Sequence, residues 1–215
     1  MKSRMTDFGF YLVMTNPKVG YVACAEAAVR AGVRIVQLRM KDCPRAEIVE
    51  TARQVRAVTA GTQTAFIVND DPSIAAEVGA DGVHVGQGDM SVADVRRLYP
   101  SLGIVGLSTH NPEQARAALG QEPDYIGVGP VFATPTKKIP DPTLGVETAG
   151  AICRRVPMPA VAIGGLNAET LPDVIRAGAR NYAVVRAVCG ADDPYAAIRA
   201  LDEVVARTRA EMARG

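Results

Sequence analysis

The sequence predicts an α/β protein, a (β/α)8 TIM barrel that occupies residues 1–215 as a single domain, with its chemistry at the C-terminal ends of the strands. The first observation behind this is a recurring join. "VRAGVRIVQLR" (29–39), "AEVGADGVHVG" (76–86) and "IRAGARNYAVVR" (175–186) each end a helix in a small residue and Gly, then enter an apolar strand. Gly suits the position after a helix because it takes the left-handed conformation without a Cβ clash. The second observation is spacing. Gly32 and Gly79 stand 47 residues apart, and Gly79 and Gly178 stand 99 apart, close to twice the first gap. If the shorter gap holds two strand–helix units, each is roughly 24 residues long, and the chain holds about eight. The third is the strands themselves, short apolar runs with helical stretches between them. That pattern belongs to a parallel sheet covered on its outer face.

Taken in order, strands are expected near 10–14, 34–38, 64–68, 82–85, 103–107, 124–128, 159–163 and 181–185. The first comes after Lys2 and Arg4, but its apolar stretch is short and has no small-residue cleavage site, so it reads as a strand rather than a signal peptide. It runs into Thr15-Asn16-Pro17, not into the glycine-rich loop of an open dinucleotide-binding sheet. After the third strand, Asp71 precedes Pro72 and reads as a helix cap. "NPEQARAAL" (111–119) carries Asn as N-cap, Pro at the first helical position and an acid in the first turn. Residues 196–213 form an amphipathic closing helix. Between the sixth strand and its helix, 129–145 is too long and proline-rich for a tight connection and reads as a lid.

The bulk properties narrow the function. Twenty-four basic and 23 acidic side chains leave a net charge of +1. No basic stripe points to nucleic acid or an anionic membrane, and no apolar run has the length of a membrane span. Cys24, Cys43, Cys153 and Cys189 form no CxxC pair and read as reduced thiols of a cytoplasmic protein. Self-association into a homo-oligomer is left open.

The strand exits are polar. The second strand runs into Gln37-Leu38-Arg39-Met40-Lys41, whose alternation points Gln37, Arg39 and Lys41 the same way. The third ends in Asn69-Asp70, the fourth reaches Asp89, and the fifth ends in Ser108-Thr109-His110. Two carboxylates alone at a barrel mouth would repel, and a cation resolves the repulsion. Mg²⁺ takes one or two carboxylates and completes its shell with water and phosphate oxygens. Arg39, Lys41 and Lys137 supply phosphate partners and Ser108 a hydroxyl, so this rim suggests a Mg²⁺–diphosphate site. Gly164-Gly165, with a helix start expected near Asn167, suggests a second anion site that Thr134 and Thr136 would complete.

"QLRMK", "VNDDPSIAAEVGADGVHVGQGDM", "GLSTHN", "DYIGVGPVFATPTKK", "LGVE" and "AIGGLN" occur in the order and spacing of thiamine-phosphate synthases. The resemblance covers nearly the whole chain, from Tyr11 to about residue 195. It implies that a pyrimidine diphosphate and a thiazole phosphate join to give thiamine phosphate and pyrophosphate by a dissociative substitution. It implies Asp70 and Asp89 as Mg²⁺ ligands, and Arg39, Lys41, Ser108 and Lys137 as the catalytic diphosphate contacts. Gln37 and Asn69 would hold the pyrimidine, with Leu38 and Met40 in the same binding run. Thr134, Pro135, Thr136, Gly165, Val185 and Arg186 would hold the thiazole phosphate. One departure is Arg186, where the family often carries Ser. A long cation there binds phosphate with a different geometry, alters substrate choice, or turns to solvent. His84 reads as a hydrogen-bonded core histidine, with pyrimidine contact as the alternative, while His110 reads as structural and Lys138 as solvent-facing. A thiazole tautomerase, another phosphate-binding barrel, or a barrel that binds thiamine intermediates without turnover remain competing readings.

Overall fold

In a computed structural model, residues 6–134 and 141–214 are described. Eight parallel strands close into a barrel: β1 (Phe10–Met14), β2 (Ile35–Leu38), β3 (Ala65–Asn69), β4 (Gly82–Val85), β5 (Ile104–Thr109), β6 (Tyr125–Val128), β7 (Ala160–Ile163) and β8 (Asn181–Val184). Closure comes from β8 pairing with β1, Tyr182 opposite Phe10 and Val184 opposite Leu12. The helices outside are α1 (Tyr21–Ala31), α2 (Arg45–Thr59), α3 (Pro72–Glu77), α4 (Val92–Leu98), α5 (Pro112–Ala117), α6 (Gly145–Arg155), α7 (Leu171–Arg176), α8 (Arg186–Cys189) and α9 (Pro194–Met212).

The strands lie within a residue or two of their expected positions. The largest difference is β5, which continues to Thr109 because its ladder with β6 extends through Ser108 and Thr109. Asp71 caps α3 as read, accepting from the Ser73 and Ile74 N–H groups, and Asn111 caps α5 by accepting from Gln114 N–H. Gly32 ends α1 in the left-handed conformation, at φ 80°. Two details differ. The closing helix α9 begins at Pro194, capped by Asp193. The expected helix start near Asn167 is a turn instead: the Asn167 carboxamide accepts from Glu169 and Thr170 N–H, and α7 begins only at Leu171. The short α8, between β8 and α9, has no counterpart in the sequence reading.

Alternation along each strand builds two cores. Residues such as Leu12, Val36, Phe66, Val83, Val105 and Ile126 pack outward beneath the helices. Tyr11, Val13, Ile35, Ile67, Tyr125 and Val161 fill the barrel's interior, with Phe8 packed below them. The N-terminal end is tied by a repeated device. Each of three even-numbered strands is entered through an acid or amide that takes the backbone N–H of its odd-numbered neighbour. Asp81 accepts from Phe66 N–H at 2.8 Å and from Arg56 at 3.1 Å. Asp124 accepts from Val105 N–H at 2.6 Å and from Arg96 at 3.1 Å. Asn181 accepts from Phe8 and Gly9 N–H.

Asp124→Ala orphans one strand N–H and removes the ion-pair partner of Arg96, leaving that guanidinium only its hydrogen bond to Glu122 C=O. It should cost about 1–3 kcal/mol of unfolding free energy in urea titration. Asp124→Asn, which keeps an acceptor oxygen, should lose less.

Candidate active site

At the C-terminal ends of the strands lies a cavity of about 1090 Å³. Most of the rim residues read from the sequence line it. From β2 come Gln37, buried, then Arg39 and Lys41, all on one side as alternation requires. The ladder carries on past β2, since Arg39 N–H donates to Met14 C=O at 3.0 Å, so these side chains are aimed by strand geometry. Burial holds the Arg39 guanidinium somewhat below its ordinary pKa, an effect opposed by the nearby Asp70. It remains a cation. Leu38 and Met40 differ from the rest. Leu38 is buried in the layer beneath the helices and Met40 packs against that layer, so both side chains face away from the cavity.

From β3 come Asn69 and Asp70. Asp70 has φ 64°, a left-handed conformation that Asp tolerates better than most residues. Its N–H donates to His84 C=O at 2.8 Å, and its carboxylate forms an ion pair with Lys41. Asp89, in the loop after β4, is turned inward by the Gly86 N–H, which donates to its carboxylate at 2.7 Å. Ser108 stands on β5, and Gln87 reaches across to donate to its carbonyl oxygen at 2.6 Å. The other arc, β6 to β8, supplies Thr134, Gly165, Val185 and the exposed Arg186, whose side chain also lines the cavity. There the loops after β6 and β7 touch closely: a Cβ on Gly164 would meet Pro130, and one on Gly165 would meet Phe132. Pro135, Thr136, Lys137 and Lys138 lie outside the described residues. The feet of their loop are joined, with Leu144 N–H donating to Pro130 C=O and Gly145 N–H to Val131 C=O. His110, beside those feet, holds Gly129 C=O through Nδ1 at 2.7 Å.

The floor of the cavity joins Gln37, His84 and Ser108 to two residues absent from the expected site, Tyr11 and Tyr125. The Gln37 amide nitrogen donates to Tyr11 OH at 2.7 Å. Tyr11 OH and Tyr125 OH are 2.8 Å apart, Tyr125 OH and His84 Nδ1 2.9 Å, and His84 Nε2 and Ser108 Oγ 2.9 Å. Five side chains from β2, β1, β6, β4 and β5 thus form one continuous row. His84 is hydrogen-bonded at both ring nitrogens, as expected of a satisfied histidine, but it lines the cavity rather than the closed core. Its ring stacks on Tyr125 with centroids 5.4 Å apart. Space for this pair comes from Gly106, where a Cβ would run into both the Tyr125 ring and His84 Nδ1. The available signal was compositional: small residues in β5 and β6 beside a tyrosine on the inward-facing register.

A family model described as thiamine monophosphate synthase matches residues 10–188. The chain belongs to that family. The thiamine-phosphate synthase of Chloroflexus aurantiacus is 44% identical over 187 residues, which is 87% of this chain and 86% of the relative. That of Archaeoglobus fulgidus is 38% identical over 207 residues, 95% of this chain and 97% of the relative. The solved thiamine phosphate pyrophosphorylase from Pyrococcus furiosus superimposes with a TM-score of 0.85 at 31% identity, covering 94% of this chain and 97% of that one. Thiamine monophosphate synthases are transferases, and the cavity's two arcs are to be understood in that light.

Two outcomes test the floor. Gly106→Ala should destabilise the protein by about 1–3 kcal/mol, because the new methyl group must displace Tyr125 or His84; urea unfolding measures this. Burial raises the pKa of Tyr11, Tyr125 and Tyr182 well above the ordinary tyrosine value. These hydroxyls stay protonated in the folded protein while the unfolded chain loses its protons. Stability should therefore hold to about pH 10 and fall above it, as denaturant titration across alkaline pH would show.

Proposed function

We propose that this chain condenses an aminopyrimidine-methyl diphosphate with a thiazole-ethyl phosphate, giving thiamine phosphate and pyrophosphate. The observation that carries the proposal is the division of one cavity into two anion-suited arcs. Arg39, Lys41, Asp70, Asp89 and Ser108 stand on or just after β2 to β5, whereas Thr134, Gly165, Val185 and Arg186 come after β6 to β8. An acid pair set among cations suits a diphosphate with its counter-cation. Close-packed glycine loops and one long cation suit a phosphate monoester. The aromatic and aliphatic floor between the arcs suits two heterocycles laid side by side.

In this reading Arg39, Lys41, Ser108 and Lys137 hold the diphosphate, and Gln37 and Asn69 orient the pyrimidine. The CH₂–O bond breaks and its electron pair leaves with the diphosphate. The exocyclic amino group of the pyrimidine spreads the positive charge left on carbon. The thiazole nitrogen then gives its lone pair to that carbon and becomes the ring cation of the product. The chain's residues need move no proton; their work is to position two rings and to stabilise the charge that builds on the leaving group. Thr134, Thr136, Gly165, Val185 and Arg186 anchor the thiazole phosphate so that its nitrogen faces the carbon.

The donor set fits Mg²⁺. Asp70 and Asp89 line the same cavity, and among the described residues no cluster of three or more acidic, histidine or cysteine side chains converges to complete a protein cage. A hard cation with two carboxylates, water and diphosphate oxygens matches that supply. Bound there, Mg²⁺ would neutralise charge on the leaving diphosphate. Lys41, now paired with Asp70, is placed to turn toward the diphosphate when a cation takes over the carboxylate. Among the described residues no helix is long and apolar enough to cross a membrane. The reaction joins small, charged, water-soluble molecules, for which the cytoplasm is the fitting place.

The decisive measurement is pyrophosphate release by the purified protein. It should require the pyrimidine diphosphate, the thiazole phosphate and Mg²⁺ together, with thiamine phosphate formed in step. No release, despite tight binding of either substrate, would support a tautomerase or a non-catalytic binding barrel. Asp89→Ala should lower turnover roughly 100-fold or more with the fold intact. Arg186→Ser should change KM for the thiazole phosphate more than KM for the pyrimidine; the reverse pattern would place Arg186 elsewhere.

A further inference from the structure

The row of hydrogen bonds across the floor has one member whose role is fixed by chemistry. The amide nitrogen of Gln37 only donates, and it points at Tyr11 OH. The Tyr11 hydroxyl still has one proton to place, the Gln37 nitrogen cannot accept it, and Tyr125 OH, 2.8 Å away, can. The Tyr125 proton in turn faces His84 Nδ1 at 2.9 Å. An Nδ1 that accepts leaves the imidazole proton on Nε2, which faces Ser108 Oγ at 2.9 Å. Ser108 then receives a hydrogen bond from within the floor, and its own proton is left to point into the cavity. In the opposite direction Ser108 would donate to His84 Nε2 and aim only oxygen lone pairs at the cavity, which repels an anion.

We infer that Tyr11, Tyr125 and His84 are positioning residues that hold Ser108 as a hydrogen-bond donor toward the ligand, with Gln37 setting the direction of the whole row. The inference about Ser108 as donor to a phosphate oxygen rests on the function proposed above; the direction of the row does not. Both tyrosines are buried deeply enough that burial keeps them protonated, so each carries the proton the row requires. Gly106 and the stacked Tyr125 ring hold the imidazole plane in register with Ser108. No proton changes hands: the row selects one of two arrangements of the same protons before substrate arrives. That is preorganisation of a donor where negative charge develops, the condition under which such a donor is most effective. Gln37 is thereby given a second task. Its amide nitrogen faces the floor, so its oxygen is the atom left for a ligand, and an amino group on a heterocycle is a matching donor.

The chain has two histidines, which makes the test direct. Protein labelled with ¹⁵N-histidine should show His84 as the Nε2–H tautomer in long-range ¹⁵N–¹H correlation spectra, with His110→Gln used to assign the signals. Tyr125→Phe keeps the stacked ring and removes one oxygen. It should replace the single tautomer by a mixture and lower kcat for pyrophosphate release about 10-fold, with KM for either substrate nearly unchanged. Because the row acts through Ser108, Tyr125→Phe should cost little further in a Ser108→Ala background. An Nδ1–H tautomer in the parent protein overturns the inference, as does a full, additive loss in the double variant. If the tautomer is as expected but Ser108→Ala leaves pyrophosphate release unchanged, the row stands and the assignment of Ser108 to the diphosphate falls.

Discussion

Closure of the parallel sheet between β8 and β1 decides where every other residue can act. Once the ring of backbone hydrogen bonds is complete, each strand side chain has two destinations, the interior or the layer beneath the helices. The period of two then distributes chemistry. Val83 and Val85 go outward and His84 goes in; Leu38 and Met40 go outward while Gln37, Arg39 and Lys41 face the cavity. Strand direction does the rest, because eight parallel strands bring eight exits to one end. A mixed sheet of the same sequence segments would divide Asp70, Ser108 and Arg186 between two ends.

A closed ring also limits volume, and the interior is filled by exchange of size between neighbours. Tyr125 occupies space that Gly106 leaves, and a Cβ at Gly127 would come within ordinary contact distance of the His84 ring. Large polar side chains could not enter so small a lumen unless their polar atoms were paired, since unpaired buried donors and acceptors are costly. The row from Gln37 to Ser108 meets that requirement by joining each side chain to the next. The floor is therefore both packed and polar, and the cavity above it inherits a fixed pattern of donors and acceptors.

Much of this was legible in the sequence because the signals are local. Small-residue–Gly joins marked where helices end, Asp71 and Asn111 announced their helices, and polar exits marked one end of the barrel as the chemical one. The alternation that placed Gln37, Arg39 and Lys41 also excluded the side chains of Leu38 and Met40, which entered the expected site through a contiguous motif rather than through geometry. What the sequence hid was non-local. Tyr11 and Tyr125 are 114 positions apart and become partners only when the ring closes. The turn at Asn167 is local but competes with the helix start: the same carboxamide that could cap a helix instead accepts from Glu169 and Thr170 N–H, and the residue type alone does not decide between the two.

The clamps built by Asp81, Asp124 and Asn181 have a consequence for how such a chain can change over generations. They fasten strand entrances at the end remote from the cavity, with side chains that take no part in the site. Substitutions among the loops at the other end can then be sampled without first unfolding the scaffold. Arg186, at the rim on a helix of only four residues, sits in the region where such drift is cheapest. The barrel can in this way retain one set of fastenings while its mouth is fitted to different phosphorylated rings.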